Sequence, residues 1–214
     1  RQRQMCIRDR SKAAEFADCF TTVSEITAVE CAHFLGKKVD MITPNGFENS
    51  FTPPDDIYLE KREAGRKKLL KVAQALAGRA ISEDAFIVGI SGRYEFKNKG
   101  IDVFIEALGQ LNRDRENTKE IVAFILVPAG HQGVNTELIN NLEKPYQAVE
   151  VVHPYVTHIL TDPEHDPILL KFAEEQLLNR EENRVKVFFS PSYLNGSDGV
   201  FDVPYYDLLV GMDL

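Results

Sequence analysis

Three short apolar runs stand out along the chain, at residues 86–90, 121–127 and 185–189. Each is rich in Ile, Val and Phe and is bounded by polar or turn-forming residues. This pattern predicts strands buried on both faces, as in a parallel sheet. Between and after them the apolar positions recur at helical spacing over residues 101–111 and 168–178, with shorter helical stretches at 135–142 and 205–210. Strand, helix, strand in that order predicts βαβ units and an α/β architecture with a parallel sheet. Residues 153–166 are polar and predict irregular chain.

The first fifty residues show the same alternation on a smaller scale. Residues 11–18 read as the end of a helix, 19–23 as a short buried strand and 39–43 as another. Ser24 is placed to cap a helix over 25–35, and Gly36 to end it. Pro44-Asn45-Gly46 makes a turn, and residues 49–56, with Pro53-Pro54, read as a linker. A long amphipathic helix then covers 57–77. Its basic patch (Lys61, Arg62, Arg66, Lys67, Lys68, Lys71) reads as a solvated face balanced by neighbouring acids.

The run at 86–90 breaks at Ser91-Gly92 into a short loop carrying Arg93, Lys97 and Lys99, which Gly100 closes just before the next helix. A strand, a glycine-bounded basic loop and a helix N-terminus together predict an anion site. The expected anion is the phosphate of a nucleotide-linked substrate. The competing structural readings are a surface pair of Arg93 with Glu95, and a solvated Lys97.

Composition narrows the field. With 214 residues, 43% of them hydrophobic, the chain is one large domain or parts of two. A net charge of −8 argues against nucleic acid or an anionic membrane as partner. No apolar run approaches the roughly 20 residues of a membrane span. Cys6, Cys19 and Cys31 fit neither a disulfide framework nor a metal spacing, so a reducing, cytoplasmic setting is expected. His153, His158 and His165 lie near Asp162, Glu164 and Asp166, but no two share a predicted helix face and no metal site is expected. His131 reads as a structural loop histidine. No nucleophile elbow, Walker loop or paired catalytic carboxylates occur. At the N-terminus, QMCIRDR (residues 4–10) is what a sequencing-library adapter yields when translated in frame, so residues 1–10 are set apart from fold reasoning. The other end stops at Asp213-Leu214 as an apolar segment begins, and both ends suggest an internal fragment.

Four segments resemble the glycogen synthases of glycosyltransferase family 3, in the bacterial form. They are FTTVSEITAVE (20–30), ITPNGFE (42–48), GRYEFKNKGIDVFIEAL (92–108) with VAFILVPA (122–129), and RVKVFFSPSYLN (184–195) running into YYDLLVGMDL. The resemblance implies two Rossmann-like domains of the GT-B type, both incomplete here. Residues 11–50 would end the first, 51–83 would be linker and basic helix, and 84–214 would begin the nucleotide-sugar-binding domain. It also implies a retaining hexosyltransferase that moves glucose from a nucleoside-diphosphate glucose, UDP- or ADP-glucose, to the non-reducing end of glycogen or another α-1,4-glucan. No cofactor or metal is implied. The family is often oligomeric, so a homo-oligomer is expected at full length.

By the same resemblance Arg93 and Lys99 bind the donor diphosphate and act in catalysis, while Tyr193 and Tyr205 hold the nucleotide base. Taken alone, the two tyrosines would be ordinary half-buried aromatics. The chain is shorter than animal and fungal members between the VAFI strand and Thr157-His158. The family's glycine-rich N-terminal motif and its acidic EPWGYTP motif do not occur in this sequence. The rival readings are another GT-B glycosyltransferase, such as a starch-type or sucrose-type synthase, and a non-catalytic nucleotide-binding module.

Overall fold

A computed structural model describes residues 2–143 and 152–214, so Arg1 of the adapter-like stretch lies outside the described residues. The chain divides into two compact units, Arg1–Asn49 and Ser50–Leu214.

The first unit contains α1 (Gln2–Phe16), β1 (Thr21–Thr22), α2 (Glu25–Leu35) and β2 (Met41–Ile42). β1 and β2 pair in parallel, Thr21 with Met41 and Thr22 with Ile42, so α2 is the crossover of a small βαβ unit. Ser24 caps α2 as expected, its Oγ accepting from Thr27 N at 3.2 Å. Gly36 closes the helix in the left-handed region at φ 70, where a Cβ would be strained. Lys37 Nζ donates to Ala14 O at 2.6 Å and Ala17 O at 3.2 Å, engaging carbonyls at the end of α1. The expected buried strand at 19–23 is only two residues long, and of those Thr22 alone is buried. Within this unit α2 buries no residue, and Ile26, Val29 and Phe34 are 76%, 71% and 68% exposed.

The second unit runs through α3 (Tyr58–Ala77), β3 (Phe86–Ser91), α4 (Ile101–Arg113), β4 (Ile121–Leu126), β5 (His131–Val134), α5 (Thr136–Leu142), β6 (His158–Leu160), α6 (Pro167–Glu174), β7 (Val185–Ser190) and α7 (Tyr205–Leu209). The three apolar runs form one parallel sheet in the order β3-β4-β7, in register from Phe86–Ile121–Val185 to Ser91–Leu126–Ser190. β4 lies in the centre and is buried at every position. Its alternate residues feed two cores. Val122, Phe124 and Leu126 pack with Ile87, Phe188, α3, Leu138 and Leu208. Ile121, Ala123 and Ile125 pack with Val88, Val187, Phe189, α4 and α6. The sheet is thus covered by helices on both faces, the reason its strands read as unbroken apolar runs.

Two elements depart from the sequence reading. Residues 158–160, expected to be irregular, form β6, which pairs antiparallel with β5. Its polar neighbours hid a three-residue strand whose His158, like Thr157 just before it, is nevertheless buried. α6 stops at Glu174 because Gln176 takes a positive φ of 57.

The basic patch of α3 is also not simply solvated. Arg62 Nη2 pairs with Asp213 Oδ1 at 2.6 Å, and Arg66 Nη1 with Asp213 Oδ2 at 2.8 Å. Arg62 Nη1 also donates to Val210 O and Met212 O, and Lys61 pairs with Asp207. Lys67 and Lys71 remain exposed. Asp213 N and Leu214 N both donate to Ile87 O, and Gly89 N donates to Leu214 O, so the last two residues lie along β3.

Candidate functional site

In an open parallel sheet, ligands bind outside the carboxyl ends of the strands. Here those ends are Ser91, Leu126 and Ser190, side by side across the sheet. Every residue expected at the site follows one of them in the chain or is bonded to one.

The loop after β3 opens and closes on glycines with positive φ, Gly92 at 135 and Gly100 at 68. Gly92 N donates to Leu126 O at 3.4 Å, which ties the start of the loop to the end of β4. Inside it, Glu95 N donates to Arg93 O, Lys99 N to Glu95 O and Gly100 N to Lys97 O. The result is a compact turn in which side chains alternate. Arg93, Lys97 and Lys99 are exposed, whereas Tyr94 and Phe96 are half-buried and pack on the core beneath. Arg93 Nε lies 3.3 Å from Glu95 Oε1, with its side chain 79% exposed. So exposed a pair contributes under about 1 kcal/mol and is easily exchanged for a stronger anion. Lys99 makes no ion pair among the described residues. The N-terminus of α4 contributes less than expected. Asp102 N already donates to Phe96 O and Val103 N to Asp102 Oδ1, so the side-chain cations supply most of the positive charge.

Tyr205 opens α7, and its Oη lies 2.6 Å from Ser91 Oγ, at the root of the cationic loop. Its ring stands edge-on to Tyr206 at 5.0 Å, and Tyr206 stacks on Phe51 at 5.5 Å. Tyr193 follows β7 and is 74% exposed. It lines a cavity of about 330 Å³ with His131, His158, Ser192, Asn195 and Asp198 among its neighbours. Tyr205 does not line that cavity. The two tyrosines are connected instead by a bridge between Asn195 and Pro204, which closes residues 195–204 into a loop with one tyrosine on either side of its neck.

That loop has an internal frame. Asp198 Oδ1 accepts from Val200 N and Phe201 N, and its Oδ2 from Asp202 N, which seats Val200 and Phe201 in the core. His158 pins the frame from below. Its Nε2 donates to Asp198 O at 3.0 Å, while Nδ1 lies 2.9 Å from Thr157 Oγ1, itself 3.0 Å from Ser190 Oγ. The His131 and His158 rings are 4.7 Å apart. Burial pushes the His158 pKa below its usual value; Asp198 opposes the shift and His131 adds to it. Among the described residues no group of three or more His, Cys, Asp or Glu is arranged to hold a metal ion.

Nothing in the sequence assigned a tethering role to Tyr94, Ser91 or His158. Tyr94 was legible in principle, because the alternation of charged and aromatic residues in RYEFKNK marks which side chains turn inward. The tethers of Ser91 and His158 reach over 114 and 40 residues, and no local pattern announces them.

A parallel three-stranded sheet with helices on both faces puts the second unit among mixed α/β proteins of Rossmann-like layering. Comparison with known proteins makes the assignment specific. The family described as Glycogen synthase matches residues 2–144 and 146–214, and the chain belongs to that family. Glycogen (starch) synthase isoform 2 of Saccharomyces cerevisiae is 29% identical over 272 residues, covering 94% of this chain and 38% of the yeast protein. The Neurospora crassa glycogen (starch) synthase is 26% identical over 94% of the chain, and the rat liver protein 27% over 92%. The chain therefore spans well under half the length of these relatives. The yeast alignment is also longer than the 214 residues of this chain, so the relative carries extra residues within the matched stretch.

Proposed function

We propose that this chain is the donor-binding part of a glycogen synthase. Such an enzyme transfers glucose, with retention, from a nucleoside-diphosphate glucose to the non-reducing end of an α-1,4-glucan. On this reading the second unit is the first part of a nucleotide-sugar-binding Rossmann-like domain of the GT-B type, and the first unit is the end of its partner domain. The observation that carries it is the glycine-bounded loop that turns Arg93 and Lys99 outward at the carboxyl end of β3, in a chain of this family.

The chemistry follows from charge. As the bond from the glucose carbon to the diphosphate breaks, negative charge grows on the leaving oxygens. Cations fixed beside them stabilise the transition state more than the ground state. Arg93 suits a bidentate grip on two oxygens, and Lys99 acts as a point charge. Tyr193 and Tyr205, at the neck of the 195–204 loop, suit a planar base by stacking. The hydrogen bond between Tyr205 and Ser91, at the root of the cationic loop, supports this reading.

The test is transfer of labelled glucose from UDP-glucose or ADP-glucose to glycogen. The 214-residue chain is expected to transfer none, because the glucosyl-binding Glu that the resemblance assigns to an EPWGYTP motif is not in this sequence. In a family-length enzyme carrying these residues, Arg93→Ala should lower kcat by about 10²-fold or more, in line with loss of one oxyanion donor. Glycogen affinity should change little. Equal loss of both would give Arg93 a structural role and refute the assignment.

A further inference from the structure

We propose that Tyr94 is a positioning residue for the diphosphate cations, acting through its hydroxyl on the buried carboxylate of Asp166. The proposal rests on the donor-site reading above and extends it to a residue outside the ligand's reach.

Backbone hydrogen bonds shape the loop, but the cationic side chains themselves have few partners. Arg93 has only its exposed pair with Glu95, and Lys99 has no ion pair among the described residues. The side chains that anchor the loop to the core are the inward residues between them, Tyr94 and Phe96. Tyr94 sits directly after Arg93 and reaches down, away from solvent. Its Oη donates to Asp166 Oδ2 at 2.7 Å, and its ring meets Phe189 of β7 edge-on at 5.9 Å. Asp166 is only 8% exposed and cannot drift, because its Oδ1 caps α6 by accepting from Ile168 N at 3.0 Å and Leu169 N at 3.2 Å. One carboxylate thus holds both the first turn of α6 and the residue next to Arg93. A hydroxyl donating to an ionised acceptor is among the stronger hydrogen bonds a side chain makes. Burial first, then the Asp166 bond and charge, raise the Tyr94 pKa far above the ordinary phenol value, so the proton stays in the bond.

Losing this anchor leaves the cations in place but frees the loop, so the cost falls on diphosphate recognition and not on the base. The test is calorimetric titration of the 214-residue chain with UDP and ADP, and with uridine and adenosine as phosphate-free probes. Tyr94→Phe keeps the ring against Phe189 and removes only the donor. It should weaken nucleoside-diphosphate binding by about tenfold, the scale of one charge-assisted bond. Nucleoside affinity should stay within about twofold. Asp166→Ser keeps a hydroxyl cap on α6 but retracts from Tyr94, so it should reproduce the loss, and the double variant should add little to it. Two results overturn the positioning role: unchanged diphosphate binding in Tyr94→Phe, or proportionate loss of diphosphate and nucleoside. If the wild-type chain binds nucleoside but not diphosphate, the donor-site reading itself fails and this proposal falls with it.

Discussion

The candidate site combines exposed side chains with side chains tethered deeper in the fold. Arg93 and Lys99 are exposed, while Tyr94, His158 and Asp198 are held by hydrogen bonds further in. The placement of Arg93 and Lys99 on a loop between β3 and α4 was legible from sequence, because an apolar run broken at Ser91-Gly92 and followed by helical spacing marks a strand–loop–helix. The holding residues were not, since a tyrosine or histidine has the same local signature whether it packs or tethers. His158 gives a direct test of the tethering role. Its pKa is lowered in the folded state, so protonation favours the unfolded chain. Stability should therefore be full above about pH 6.5, the ordinary histidine value, and be lost as pH falls from there through the lowered folded value. Urea midpoints measured from pH 8 to pH 5 should show this decline in the wild type and a shallower one in His158→Gln. Identical slopes would mean that the buried histidine does not set the pH response.

Among the elements, the three sheet strands were the clearest in the sequence. β4 and β7 are buried at every position, so burial on both faces leaves a continuous apolar signal. Lys186 interrupts that signal in β7, yet it too is buried, its Nζ donating to Arg180 O at 3.0 Å and to Asn183 O. The short ladder of β5 and β6 left no such trace. The packing of α3 on residues 207–213 was likewise hidden, because it depends on close backbone approach. A Cβ on Gly65 would fall 2.5 Å from Asp207 O, and one on Gly211 would fall on the backbone of Gly65 and Arg66. Alanine in place of glycine inside a helix ordinarily stabilises by about 0.5–1 kcal/mol. Gly65→Ala should reverse that sign and destabilise by about 1–3 kcal/mol, the scale of overpacking, in urea unfolding of the whole chain. A neutral or stabilising result would show that the helix and the 207–213 segment are not so closely packed. The same contact explains why half the basic patch of α3 is spent on acids of that segment, Lys61 on Asp207 and Arg62 and Arg66 on Asp213. Burial raises that carboxyl's pKa, but the Ile87 amide, Arg66 and Arg62 outweigh it and leave the pKa lowered.

For the molecule as a whole, the alternation of strand and helix was enough to anticipate an α/β protein with a parallel sheet. The two units differ in how completely they bury their apolar residues. The second encloses its sheet between two helical layers, whereas in the first α2 buries nothing and leaves Ile26, Val29 and Phe34 in the open. Composition could not distinguish these cases, because the same residues form a core wherever a covering layer exists. Net charge adds a constraint at this scale. At −8 the chain repels anions at long range, so diphosphate affinity needs a local group of cations, which on the donor-site reading is the one on the loop after β3. The most direct measurement is therefore a UDP and ADP titration of the wild-type chain beside Arg93→Ala, Lys99→Ala and the neighbouring Lys97→Ala. Binding that is lost in the first two variants and kept in the third is the expected result. Absence of binding, or equal loss in all three, would contradict a donor site built on Arg93 and Lys99.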